Sequence, residues 1–228
     1  MKKIEIKGQI ISNDQKEVYD FYEVEATCPN DVLQHLYGIE DVEVIINSGG
    51  GNVFAGSEIY TALKEYQGNV HVKIYSLAAS SASIIAMAGD KISMSPTSQI
   101  MIHNVSVQSG GDYREHEATA ELLKGANQAL ANAYCIRTGL HEATILEMMD
   151  KETWLNPQKA IELKFADEIM FQNNNLSLVA TLNKGMLPQK AIDEFNKIKM
   201  ENTIKNKRRQ YKSQLNLLKL KSKEINTL

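Results

Sequence analysis

Two periods of apolar spacing alternate along the chain, and their order predicts its elements. Residues 4–11 (I-E-I-K-G-Q-I-I) alternate and read as a strand interrupted by Gly8. Residues 18–26 read as a second strand or an irregular extended piece. Cys28-Pro29-Asn30-Asp31 breaks the chain. Asn30 or Asp31 then caps a helix through Tyr37, with Val32, Leu33 and Leu36 facing inward. V-E-V-I-I at 42–46 is the nearly continuous apolar run of a buried parallel strand, ended by Asn47-Ser48-Gly49-Gly50-Gly51. A helix over 54–66 places Ile59, Ala62, Leu63 and Tyr66 on one face, and residues 70–75 form the next strand. Strand, helix and strand in this order make a right-handed crossover unit, so the fold class is α/β.

A short helix rich in small residues follows, ending near Gly89-Asp90. Strands are expected at 91–95 and 99–107, the second with His103 at its centre. Residues 113–138 carry Leu122, Ala126, Leu130 and Ala133 at helical spacing, and Gly139 stops that helix. A short helix covers 141–150, with Trp154-Leu155 just beyond it. Asn156-Pro157 opens another helix through Leu163, and F-A-D-E-I-M leads into a last strand. After Asn173 the pattern changes. Residues 1–175 read as one domain and 176–228 as a basic appendage, partly helical or mobile.

Composition narrows the class. The chain has 228 residues, 43% hydrophobic and 23% charged, which suits one core with an appendage. The net charge of −3 is uneven: residues 199–228 hold nine Lys/Arg and two acidic residues. With only Tyr211 among the basic residues of 205–212, this tail is weak support for nucleic-acid binding, and a solvated tail is expected. Cys28 and Cys135 stand alone, without metal-ligand spacing, and suit buried thiols in a reducing cytoplasm. No 18-residue apolar run or signal-peptide core is visible, so neither a membrane span nor secretion is expected. No cofactor or metal is expected.

Candidate chemistry centres on I-Y-S-L-A-A-S-S-A-S-I-I-A-M-A-G at 74–89. Ser80 falls where a strand turns into a helix, beside that helix's unpaired N–H groups. An acyl-transfer nucleophile needs such a place, although an Ala/Ser run is more often simply a tightly packed helix. Three further features bear on it. Gly49-Gly50-Gly51 lets backbone approach a ligand, and no G-K-[ST] follows to make a phosphate loop. His103 lies among apolar neighbours that can hold a general base rigidly, whereas His35, His71, His116 and His141 lie in polar surroundings and read as solvated. The acidic cluster Asp150-Lys151-Glu152 precedes Thr153-Trp154-Leu155. A carboxylate against the imidazole fixes its tautomer, but spacing alone does not assemble serine, histidine and acid.

Four segments in register resemble the ClpP-type serine peptidases of the crotonase-like superfamily: V-I-I-N-S-G-G-G-N-V-F-A-G at 44–56, S-L-A-A-S-S-A-S-I-I-A-M-A-G at 76–89, M-I-H-N at 101–104 and W-L-N-P-Q-K-A-I-E-L-K-F-A-D-E-I at 154–169. The resemblance implies a spiral of βαβ units with a protruding strand-and-helix handle after His103, and a homo-oligomeric ring or stacked rings. It makes Ser80 the nucleophile, His103 the base, and the N–H groups of Gly51 and Ser81 the oxyanion hole. The family's acid, usually Asp, maps to Glu152, with Asp150 as the alternative. Within the family the N-V-F-A-G, A-A-S-S-A-S and M-S-P-T phrases are most similar to the bacteriophage head maturation proteases. That branch implies ATP-independent cutting of scaffold and capsid proteins in the host cytoplasm or immature capsid. Gly49 stands where the family usually has Pro, the pore-lining N-terminal segment has no clear counterpart, and the basic tail has none. The alternatives are a ClpP-type proteolytic subunit fed by an ATP-dependent unfoldase, a crotonase-like enzyme acting on acyl-CoA thioesters, and a non-catalytic capsid-assembly protein.

Overall fold

A computed structural model describes residues 1–172 together with Lys197, Lys199 and Met200. The appendage expected at 176–228 lies outside the described residues apart from those three. Among the described residues, eight strands form one sheet in the order β2-β1-β3-β4-β5-β8, with β6 paired to β4 and to β7. Its strands are β1 (Lys2–Ile10), β2 (Ala26–Thr27), β3 (Val42–Gly51), β4 (Val70–Ala79), β5 (Lys91–Met94), β6 (Gln99–Ile102), β7 (Thr153–Leu155) and β8 (Glu168–Ile169). All pairs are parallel except β6 with β7. The helices are α1 (Lys16–Phe21), α2 (Pro29–Leu33), α3 (Val53–Glu65), α4 (Ser81–Ala86), α5 (Tyr113–Thr138), α6 (Glu142–Asp150) and α7 (Pro157–Glu162). The α/β class and the crossover units stand as expected.

The core lies between one face of the sheet and the helices. Ile4, Val44, Ile46, Val72 and Ile74 of the central strands pack against Ile59 and Leu63 of α3 and Ile85 of α4. The other sheet face is polar and paired. Glu43 of β3, its side chain 5% exposed, binds Lys73 of β4 and lies 3.9 Å from Lys3 of β1. On the same face His71 Nε2 meets Ser93 Oγ at 2.7 Å, Ser93 Oγ donates to Glu168 Oε1 at 2.7 Å, and Lys91 Nζ lies 2.9 Å from that oxygen.

Several elements depart from expectation. Residues 18–26 are not a strand: α1 covers the first four of them, 22–25 form a turn and an irregular stretch, and only Ala26-Thr27 extends along Gln9-Ile10. Lys16 accounts for this, because its ammonium reaches Asp20 one turn on, Asp31 and the Ala26 carbonyl. α2 starts with Pro29 and is capped at Cys28; Asp31 reaches back to accept the Cys28 N–H at 3.0 Å. The strand expected over 99–107 stops at Ile102, where its partners β4 and β7 run out, so His103 lies just past a strand end. The handle accordingly has no strand: residues 103–110 are irregular and lead into α5. α5 itself is capped by Asp112, which accepts from the Arg114 and Glu115 N–H groups, and ends at Gly139 with φ +73°. Its buried residues all lie in its last turns, from Ala131 to Thr138, so its first half stands clear of the body. β7 went unseen because three residues carry no period. His71, expected to be solvated, is half-buried in the polar network of the sheet.

Candidate active site

Four elements converge at the carboxyl ends of β3, β4 and β6. β4 delivers Ser80, whose φ of +54° and ψ of −127° are those of a tight reverse turn and unusual for a side-chain-bearing residue. Such a conformation costs about 1–3 kcal/mol and persists only where neighbours impose it. Here the Ser80 N–H donates to the Met101 carbonyl of β6 at 2.9 Å. The Ser80 carbonyl accepts the Ser83 N–H at 2.9 Å and the Ser83 hydroxyl at 2.6 Å. Ser83 Oγ lies 2.7 Å from the hydroxyl of Tyr134, a buried residue of α5. All six residues of α4 are buried, so the turn sits on a packed base.

His103 follows β6 directly, and its Nε2 lies 2.8 Å from Ser80 Oγ. When Nε2 is the acceptor, the Ser80 hydroxyl donates and the imidazole proton sits on Nδ1. The segment beyond His103 is tied to α5, whose Asn127 Oδ1 accepts the Val105 N–H at 2.8 Å. An Oγ–H aimed at an imidazole is the arrangement in which the ring can take the proton as Oγ attacks a carbonyl carbon.

Glycines allow β3 to close on this turn. A Cβ on Gly50 (φ +91°) would lie 2.6 Å from the Ala79 carbonyl oxygen and 2.7 Å from Ser80 Cβ. The N–H of Asn52 takes the Ile10 carbonyl at 2.8 Å. Successive amides of a strand point to opposite sides, so the Gly51 N–H is directed away from β1, toward the side of β4. The Ser81 N–H, first in α4, has no intrahelical partner by position. Gly51, Ser80, Ser81 and His103 share a cavity of about 70 Å³, whose lining Val53, Ile84, Val105 and Leu130 make about half apolar.

The two candidate acids are placed differently. β6 and β7 pair Ile102 with Thr153, and one step further the same register sets His103 opposite Glu152. The Glu152 carboxylate nevertheless accepts the Trp154 indole N–H at 3.2 Å, and Glu152 has φ +48°. Asp150 Oδ1 accepts from Asn104 Nδ2 at 2.7 Å. Among the described residues no carboxylate is hydrogen-bonded to His103; its side-chain bond is to Ser80. The structure thus brings Ser80, His103, Gly51 and Ser81 together, with Glu152 alongside in register and Asp150 one contact away through Asn104. Ser83, Tyr134 and Asn127 were not singled out from the sequence. The one available signal was a serine three residues after Ser80, where a helical hydroxyl reaches back to a preceding carbonyl. Among the described residues, no group of His, Cys, Asp and Glu converges as metal ligands. No helix there is long and apolar enough to cross a membrane.

A serine hydroxyl bonded to an imidazole, raised on a strained strand-to-helix turn over a parallel sheet, defines an α/β serine hydrolase. Comparison with known proteins refines the class. The Clp protease family model matches residues 11–173. An ATP-dependent Clp protease proteolytic subunit of Deinococcus radiodurans is 27% identical over 157 residues, covering 65% of this chain and 77% of the relative. One from Bacteroides fragilis is 29% identical over 135 residues, covering 58% of this chain and 65% of the relative. The chloroplastic proteolytic subunit 3 of Arabidopsis thaliana is 29% identical over 152 residues, 66% of this chain and 49% of its own length. A ClpP1 mutant from Listeria monocytogenes shares the fold with a TM-score of 0.61 at 22% identity, over 76% of this chain and 93% of that one. The chain belongs to the Clp protease family and is a serine peptidase, a hydrolase acting on peptide bonds.

Proposed function

We propose that this chain is a serine endopeptidase of the ClpP type in which Ser80 is the nucleophile and His103 the general base. The observation that carries the reading is the 2.8 Å contact between Ser80 Oγ and His103 Nε2 on the strained turn. His103 takes the hydroxyl proton as Oγ attacks the peptide carbonyl. The N–H groups of Gly51 and Ser81 receive the oxyanion, and the proton passes to the leaving amine. Water then resolves the acyl-enzyme, activated by the same imidazole. Glu152 supplies the acid once its carboxylate turns from Trp154 to His103; its place in the β6–β7 register favours it over Asp150.

The biological setting follows the relatives more than the local motifs. Those relatives are named as ATP-dependent proteolytic subunits, which supports a homo-oligomeric ring that receives unfolded protein from an ATP-dependent partner. A second reading, the phage head maturation protease acting without ATP on capsid or scaffold proteins, is favoured by the N-V-F-A-G, A-A-S-S-A-S and M-S-P-T phrases. Labelling with a fluorophosphonate probe and peptide mapping tests the chemistry. An adduct on Ser80 that is lost in His103→Ala is the expected result, and a folded, oligomeric sample without the adduct counts against the reading. Cutting of a capsid precursor without ATP would favour the second setting; dependence on an added unfoldase and ATP would favour the first.

A further inference from the structure

The Ser80 turn is held by a hydroxyl relay that starts in α5. Ser83 has one hydroxyl proton, and its 2.6 Å contact with the Ser80 carbonyl uses it. The 2.7 Å contact between Ser83 Oγ and the Tyr134 hydroxyl therefore needs the tyrosine to donate. The direction is Tyr134 O–H to Ser83 Oγ, then Ser83 O–H to the Ser80 carbonyl. Tyr134 is 2% exposed, Ser83 is fully buried, and burial raises the phenol far above its ordinary range, so the donor stays protonated.

The relay meets the chain where strain is stored. With φ at +54° Ser80 relaxes unless both of its peptide groups are held. Met101 holds the N–H side from β6. On the carbonyl side the side-chain donor is Ser83, and Tyr134 fixes its rotamer. Tyr134 also lines the cavity that contains Ser80 and His103. A phenylalanine at 134 would fill the same volume without the hydroxyl, so packing alone does not account for the tyrosine.

We infer that Ser83 and Tyr134 are positioning residues for the nucleophile: the tyrosine orients the Ser83 hydroxyl, which locks the Ser80 carbonyl and so aims Oγ at His103. The inference rests on the reading of Ser80 as nucleophile. Misplacing a reacting atom by a fraction of an ångström to an ångström costs about tenfold to a hundredfold in rate, and that range is expected for kcat in Ser83→Ala, with KM unchanged. Tyr134→Phe should lose about tenfold by letting the Ser83 hydroxyl rotate.

The decisive comparison is a double variant. Ser83→Ala alone strands the buried Tyr134 hydroxyl and should lower the unfolding midpoint. Ser83→Ala/Tyr134→Phe removes both partners and should recover much of that loss. Peptidase kcat and the rate of fluorophosphonate labelling at Ser80 should stay as low in the double variant as in Ser83→Ala. A purely structural pair would instead let kcat return with the midpoint; recovery to within about twofold of wild type, or a Tyr134→Phe enzyme that close to wild type, overturns the inference. Crystal structures of the wild-type and Ser83→Ala proteins decide the same point without catalysis. The Ser80 Oγ to His103 Nε2 separation should open beyond about 3.5 Å in the variant, and an unchanged separation overturns the inference. Absence of any probe adduct on wild-type Ser80 would sink the nucleophile reading itself, leaving the relay to be judged by that separation.

Discussion

Across the outer face of the sheet, charges are paired along the strands; at the carboxyl end of the same strands, charge is nearly absent and the polar groups converge on one hydroxyl. Glu43 is almost completely buried, yet Lys73 and Lys3 hold its carboxyl below the usual carboxylate range against the cost of burial. Glu168, half exposed, is bonded by Lys91 and Ser93, and His71 joins them through Ser93. At the other region Ser80 occupies a conformation that its own side chain disfavours, and Gly50 leaves out the side chain where β3 approaches it. Here partners are spent on geometry: Met101, Ser83 and, through it, Tyr134 hold one residue still. Loss of a group from the first region should be read mainly in stability, and from the second mainly in rate.

The largest test of that division is Ser80→Ala. It should cut peptidase turnover by about 10⁴-fold or more while shifting the unfolding midpoint little, because alanine keeps the Cβ and its backbone strain and the lost hydroxyl bonds only His103. Steady-state hydrolysis and calorimetry on one preparation would check both halves. A variant that kept more than a tenth of the activity would end the nucleophile assignment.

Glu152→Gln comes next, with an expected loss of about a hundredfold in kcat, the scale of a group that supports a general base. Asp150→Asn should stay within about threefold, because its neighbour Asn104 can still pair with an amide. The reverse ranking would transfer the role to Asp150 and make the Trp154 contact the resting place of a bystander.

How much of this could be read from residue order differs sharply between the two regions. The long helix α5 was legible to its ends, since Asp112 and Gly139 bracket 26 residues of helical spacing. The strand-to-helix turn at Ser80 and the glycines that end β3 were legible because such a turn is built from consecutive residues, whereas the contact of Ser80 with His103, 23 positions on, is beyond spacing and was suggested only by the family resemblance. The His103 strand was over-extended, because periodicity continues past Ile102 while hydrogen-bonding partners do not. The Tyr134–Ser83 bond spans 51 positions, and nothing local in either segment names the other. The same holds for Glu43 and Lys73. V-E-V-I-I reads as a buried strand with one flaw, and only its parallel pairing with β4 and β1 supplies the cations that make it tolerable. Which way Glu152 turns depends on one side-chain torsion and the Trp154 indole, below anything a pattern can carry.

Lys73→Met breaks the pairing from the stability side. Because Lys73 is partly exposed and Lys3 remains 3.9 Å from Glu43, the loss should be about 1–2 kcal/mol at pH 7, less than for a fully buried pair. Denaturant titration should show it, and kcat at 25 °C should not change. The Glu43 carboxyl titrates below its unfolded value of 4.5, so its contribution is present above that pH and lost as pH falls through the folded value. The difference between wild type and Lys73→Met should therefore shrink in acid. A difference that held constant down to pH 3 would mean that the ion pair contributes nothing to stability.

His71 gives the smallest effect and the finest test of the paired face. Burial lowers its pKa from 6.5, and Lys73 and Lys91 push the same way against the opposing pull of Glu168 and Glu43. Above pH 6.5 the ring is neutral both folded and unfolded, and it adds no pH dependence. As pH falls below 6.5 the unfolded chain takes the proton first, so stability declines with acid in this window. This decline sets in at higher pH than that of Glu43, so the two segments separate on one stability-against-pH curve. His71→Gln keeps an N–H donor for Ser93 without a titrating ring and should flatten the curve just below pH 6.5, leaving the Glu43 segment in place. Ser93 has already given its proton to Glu168, so the group at 71 must donate. A curve unchanged by the substitution would show that the ring takes its proton in the folded protein as readily as in the unfolded chain. The face would then be paired through its carboxylates and lysines alone.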